Sequence, residues 1–136
     1  MKPHTVFLAR LLGVFTLISV LWLMLDKQAT VSMIPVLLSD RLVMIVLAFV
    51  SLGAGLAIVL AHNIWSNGLL PLLVTIVGWI LMIRGLLLLF LTNQQLTNIF
   101  AALQVGTLFY VYLTVPLLLG AALTYLGFNT RLESRK

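Results

Sequence analysis

Four long apolar runs, Val6–Leu25, Leu42–Ala61, Leu69–Leu91 and Ile99–Phe128, occupy most of this 136-residue chain. A helix needs roughly 20 mostly apolar residues to cross the hydrocarbon core of a bilayer, and each run reaches that length. No water-soluble core absorbs so much apolar surface. Hydrophobic residues make up 62% of the chain and charged residues 8%, whereas about a quarter of a soluble domain is charged. Lipid offers the backbone no hydrogen-bond partner, so the runs must be helices that satisfy themselves internally. Short connections make successive helices antiparallel neighbours. The sequence thus predicts an all-α polytopic membrane protein, an antiparallel bundle of four transmembrane helices with a short interfacial segment after the first. Residues 1–136 read as a single integral membrane domain with approximate spans 6–25, 42–61, 69–91 and 99–128.

The formal charge of +5 does not point to nucleic acid, because its sources gather at the ends of the spans. Lys2, Arg10, Arg131, Arg135 and Lys136 fall on the side shared by both termini, against Lys27, Arg41 and Arg84 on the other. Five against three places both termini in the cytoplasm by the positive-inside rule. Arg10 sits near the start of its run, where a long side chain reaches the interface by snorkelling. The first run reads as a retained helix rather than a secretory signal, because Asp26-Lys27-Gln28-Ala29-Thr30 lacks the small-residue cleavage pattern. Cysteine is absent, which excludes disulfides and thiol chemistry.

Between Lys27 and Asp40 the chain is too short to span and too apolar for water. It is expected to lie in the interface as an amphipathic stretch bent by Pro35. The connection His62–Gly68 ends in Asn67-Gly68, a turn signal, and Thr92–Asn98 reads as a short polar loop. Small residues at four-residue spacing, Gly53, Ala57 and Ala61, with Ser51 and Gly55 alongside, suggest internal packing seams; a homodimer face is the alternative.

A charge in hydrocarbon is expensive and is by default a functional hypothesis. Arg84 lies seven residues before Leu91, roughly 10 Å along a helix. On a continuous last helix Gln104 falls at a similar depth, followed by Thr107 and Tyr110 at helical spacing. Asp26 and Asp40 flank helix ends on the same side. These residues form a candidate site for an anionic group, with Arg84 as a planar fork of donors and Asp26 or Asp40 as counter-ion. The bland reading is that Arg84 only snorkels or makes one structural ion pair. On the opposite face His62, Asn63 and Arg10 form a second candidate polar cluster. A relay or haem role for His62 needs a partner at membrane depth, which His4 in the terminal tail does not supply.

Catalytic constellations are missing. The three carboxylates are Asp26, Asp40 and Glu133, too few for a hard-cation cage, and no phosphate loop, nucleophile elbow or zinc-ligand spacing occurs. The expectation is therefore a non-enzyme with no metal and no cofactor. Proton-coupled small multidrug carriers are similar in size but carry a Glu in the first helix, which this chain lacks.

The stretch Ala61-His62-Asn63-Ile64-Trp65, with Thr75-Ile76-Val77-Gly78-Trp79 and Ile83-Arg84-Gly85, resembles small four-helix bacterial integral membrane proteins of uncharacterised function. It covers the middle half of the chain. The resemblance implies a bacterial inner-membrane setting and four helices, and no activity. The leading expectation is an accessory or interaction subunit whose partners are membrane lipids and another membrane protein or a second copy of itself. The alternative is binding or transport of a small anionic molecule or lipid through the cluster around Arg84.

Overall fold

The computed structural model describes residues 3–63, 65 and 68–133. Lys2, Ile64, Asn67, Arg135 and Lys136 lie outside the described residues, as do the side chains of Arg131 and Glu133. Every element among the described residues is a helix: α1 (Pro3–Leu25), α2 (Lys27–Ser39), α3 (Arg41–Ala61), α4 (Leu69–Phe90), α5 (Asn93–Ala102) and α6 (Phe109–Glu133). Four of them, α1, α3, α4 and α6, are long and apolar enough to cross a bilayer. Their outward side chains are large and apolar, Leu60 and Phe90 being 82% and 76% exposed. By length and composition this is a multi-pass membrane protein.

The long helices associate as two close pairs, and glycine decides which faces meet. Along α3 and α4, Gly55 lies against the backbone of Gly78 and Met82, and Gly85 lies against Leu52. Along α1 and α6, Gly13 lies against Gly120 and Thr124, while Gly120 also meets Leu17 and Gly127 meets Arg10. A side chain at Gly13 or Gly55 would collide with partner backbone, so the short interaxial distance depends on its absence. The pairs join through Ala9, Ile58, Leu70, Val74 and Leu123, which are buried together. A second apolar cluster, Leu38, Met44, Ala48, Leu88 and Leu96, brings α2 and α5 onto α3 and α4.

The expected seam on α3 needs correction. Gly53, Ala57 and Ala61 are exposed, and nothing lies within 4 Å of the position of a Cβ on Gly53. The neighbouring line of Ser51, Gly55 and Ile58 is the buried one. Four-residue spacing exists on both lines of α3; the matching gaps at Gly78 and Gly85 of α4 choose between them.

Three further expectations differ from the structure. The run Ile99–Phe128 is not one helix: α5 ends at Ala102 and α6 begins at Phe109. Gln104 takes a left-handed conformation, φ 48°, which turns the chain after α5, and its carbonyl accepts from the N–H groups of Thr107 and Leu108. The supposed loop Thr92–Asn98 is instead the start of α5, closed by a capping box in which Thr92 accepts from Gln95 N–H and the Gln95 side chain accepts from Thr92 N–H. Pro35, in turn, does not break α2, which continues to Ser39. One lost N–H is tolerated because both ends are held. Asp26 accepts from Ala29 N–H at the start, and Asn93 Nδ2 donates to Ser39 O, 3.1 Å, at the end.

Candidate functional site

At the end of the molecule where α2 and α5 sit, the four long helices do not close upon one another. They leave a cavity of about 750 Å³ walled by all six helices, among them Leu23 of α1, Leu37 of α2, Leu47 of α3, Leu87 of α4, Phe100 of α5 and Leu113 of α6. Its volume lies in the range of about 300–1,000 Å³ common to small-molecule sites. Arg84 is the one charged residue in the wall. It lies six residues before Phe90, the last residue of α4, about 9 Å along the axis.

Several polar groups at this end are occupied with helix termini. Each helix end leaves several backbone groups without an internal partner, and in an apolar setting those groups must be met by side chains. Thr30 Oγ1 donates to Leu23 O, 3.1 Å, near the end of α1. Arg41 donates to Leu91 O at 2.9 Å and to Leu89 O at 3.1 Å, closing α4. Tyr112 OH donates to Leu103 O, 2.9 Å, just beyond α5. Among the described residues, Arg84 has no hydrogen bond and no ion pair.

The predicted site is therefore only partly assembled. Asp40 caps α3 by accepting from Leu42 and Val43 N–H, 2.9 and 3.2 Å, and Asp26 caps α2. They stand at opposite ends of a 13-residue helix, about 20 Å apart by its rise, and neither is the counter-ion of Arg84. Gln104 and Thr107 are exposed in the turn between α5 and α6, off the membrane-spanning helix where equal depth with Arg84 placed them. Tyr110 is exposed and does not line the cavity; the Lys27 ammonium lies 5.4 Å from its ring centroid and 6.0 Å from that of Phe109. Tyr112 and Trp22, which the sequence reading passed over, line the wall in their place. Two positions apart on a helix, Tyr112 and Tyr110 face nearly opposite sides, so helical spacing alone separates them.

Comparison with protein-family models, curated proteins and solved structures finds no match. The site must be read from its own chemistry.

The second predicted cluster is dispersed among three separate arrangements. His62, 2% exposed, closes α3 and shares a hydrogen bond with Thr5, Oγ1 to Nδ1, 3.4 Å. Thr75, fully buried, donates its hydroxyl to His62 O and Pro71 O, both 3.0 Å. Neither threonine carries a signal in the sequence, since Thr is common in membrane helices; only the fold brings Thr5 of α1 and Thr75 of α4 to His62. Arg10 Nε donates to Gly127 O, 2.8 Å, and its guanidinium lies 4.8 Å from the Phe128 centroid, an arrangement of cation–π geometry. Asn63 Oδ1 accepts from Trp65 Nε1, 2.7 Å, on the exposed surface. Among the described residues no three of His, Asp and Glu come together as a metal site would need.

Proposed function

We propose that this chain is a non-enzymatic membrane protein that binds an anionic amphiphile in the cavity between α2, α5 and the long helices, with Arg84 meeting the anionic group. One observation carries the reading. A lone cation stands in an apolar wall without a partner, while Asp26, Asp40 and Arg41 are held at helix ends and Lys27 lies over the rings of Phe109 and Tyr110. Arg84 is exposed within the protein, so at its depth in the membrane it faces only lipid or the hollow; an unmatched cation there is costly, and a ligand anion supplies the match.

In this reading the chain is a single membrane domain, an antiparallel four-helix bundle in a bacterial inner membrane with both termini cytoplasmic. The order of contacts supports the orientation, since Arg10 meets Gly127 while Leu17 meets Gly120, and Gly55 meets Gly78 while Leu52 meets Gly85. Basic residues near both ends support the cytoplasmic side. The cavity then opens near the outer interface. An accessory-subunit role has no comparable feature in its favour, because the exposed apolar side chains are those that lipid covers.

Native mass spectrometry of gently extracted protein tests the reading. Wild type is expected to retain an anionic amphiphile that Arg84→Leu loses. Equal retention by both would remove Arg84 from the site and the reading with it.

A further inference from the structure

The composition of the wall narrows the ligand beyond a general amphiphile. We propose, resting on the reading above, that the ligand is a long-chain carboxylate: one monoanionic head on a wholly apolar body.

The head is defined by what the wall offers. It contains no carboxylate, amide or imidazole, and its acceptors are the neutral hydroxyl oxygens of Thr30 and Tyr112, so a cationic ammonium finds no anionic partner there. The hydroxyl hydrogens of Thr30 and Tyr112 are committed to Leu23 O and Leu103 O. The donors that remain are the Arg84 guanidinium and the indole N–H of Trp22, which belongs to the same wall near the end of α1. A carboxylate needs only donors, and its two oxygens match the guanidinium fork.

Charge separates the carboxylate from a phosphate monoester. A monoester carries about −1.5 to −2 at neutral pH, and one arginine leaves much of that charge unmatched in an apolar hollow. A diester headgroup carries a single charge but brings glycerol or amine groups for which the wall has no counterpart. The body is defined by the rest of the wall, where Leu, Ile, Met, Phe and Val from six helices enclose an unbranched tail without a polar interruption. Met33 and Met44 contribute side chains that adapt to a flexible chain.

The test titrates purified full-length protein in non-ionic detergent with oleate, oleyl alcohol, oleyl phosphate and dioleoyl phosphatidylglycerol, reading adducts by native mass spectrometry. Oleate is expected to bind one to one and more tightly than the other three probes. Arg84→Leu should weaken oleate roughly ten- to a hundredfold, the worth of a charge-assisted hydrogen bond, and leave oleyl alcohol unchanged. Ile99→Trp, which puts bulk into the cavity from α5 without touching the charge, should weaken oleate and oleyl alcohol together. Tighter, Arg84-dependent binding of oleyl phosphate or phosphatidylglycerol would overturn the carboxylate assignment and leave the anionic-amphiphile reading standing. If no anionic probe depends on Arg84, both fall. Oleate binding unaffected by Ile99→Trp would place the ligand outside the cavity and overturn the proposal.

Discussion

The two ends of this molecule solve the same problem in opposite ways. Where α3 ends and α4 begins, the polar side chains turn inward on protein: Thr5, His62 and Thr75 bond to one another or to backbone, and Arg10 reaches the carbonyl of Gly127. Glycine close approaches on both helix pairs hold the long helices together from this end through the middle of the bundle. At the other end Asp40, Arg41, Thr92 and Asn93 satisfy helix termini at the rim, and the interior is left apolar, hollow and furnished with one cation. The contrast lies in packing more than in hydrogen bonding, because at the closed end Arg10 Nη2 and Thr124 Oγ1 are buried without a hydrogen-bond partner among the described residues. The open end keeps an interior vacancy with a charge in its wall.

That contrast is most exposed to disproof at the helix pairs. Gly55→Leu should force α3 off the backbone of Met82 and Gly78 and lower stability by about 3 kcal/mol or more, because a packed interface cannot accept the added carbons. Gly53→Leu, two residues away on the open face, should change it by less than about 1 kcal/mol. Unfolding in mixed micelles, followed by circular dichroism, measures both. Equal damage from the two substitutions would mean that the outward stripe is also a packed surface.

The hollow end makes a prediction of opposite sign. Arg84→Leu should raise stability by about 1 kcal/mol, since it removes an unpartnered cation from apolar surroundings. A drop in the same unfolding assay would instead reveal a structural partner. Stability gained while oleate affinity is lost is the signature of a charge kept for a ligand.

The closed end should behave as ordinary structure. Thr75→Val preserves shape but leaves the carbonyls of His62 and Pro71 without that hydroxyl, at a cost of about 1 kcal/mol, toward the lower side of buried hydrogen bonds as found among membrane helices. Oleate titration of the variant should match wild type. A change in affinity would show that the two ends are coupled through α4.

Much of this organisation is legible in the chain and some of it is not. Four spans can be read because lipid imposes a length on apolar runs, and Asp26, Asp40 and Thr92-x-x-Gln95 are capping signals that stand in the sequence. Taking the two aspartates as counter-ions and Thr92–Asn98 as a loop overlooked that local chemistry. The break after α5 is harder to see, because Leu103, Val105 and Leu108 keep the run apolar across it. The cavity cannot be read at all. It is space left by six helices, and no single residue encodes space. Arg84 was visible as a charge out of place, but its isolation became evident only when every carboxylate near it had been assigned to a helix end.

Gln104 gives the smallest effect and separates the sequence reading from the fold. If it served the anion, as equal depth with Arg84 on a continuous helix would require, replacing it with glycine would weaken oleate binding. The structure gives it another task, holding a left-handed turn at φ 48° that glycine adopts with less strain. Gln104→Gly should therefore leave the oleate titration unchanged. Its stability should rise by about 0.5 kcal/mol at most, because relief of the turn is offset by the greater freedom of glycine in the unfolded chain. The side chain is exposed and absent from the cavity wall, so nothing besides the backbone conformation should register the change.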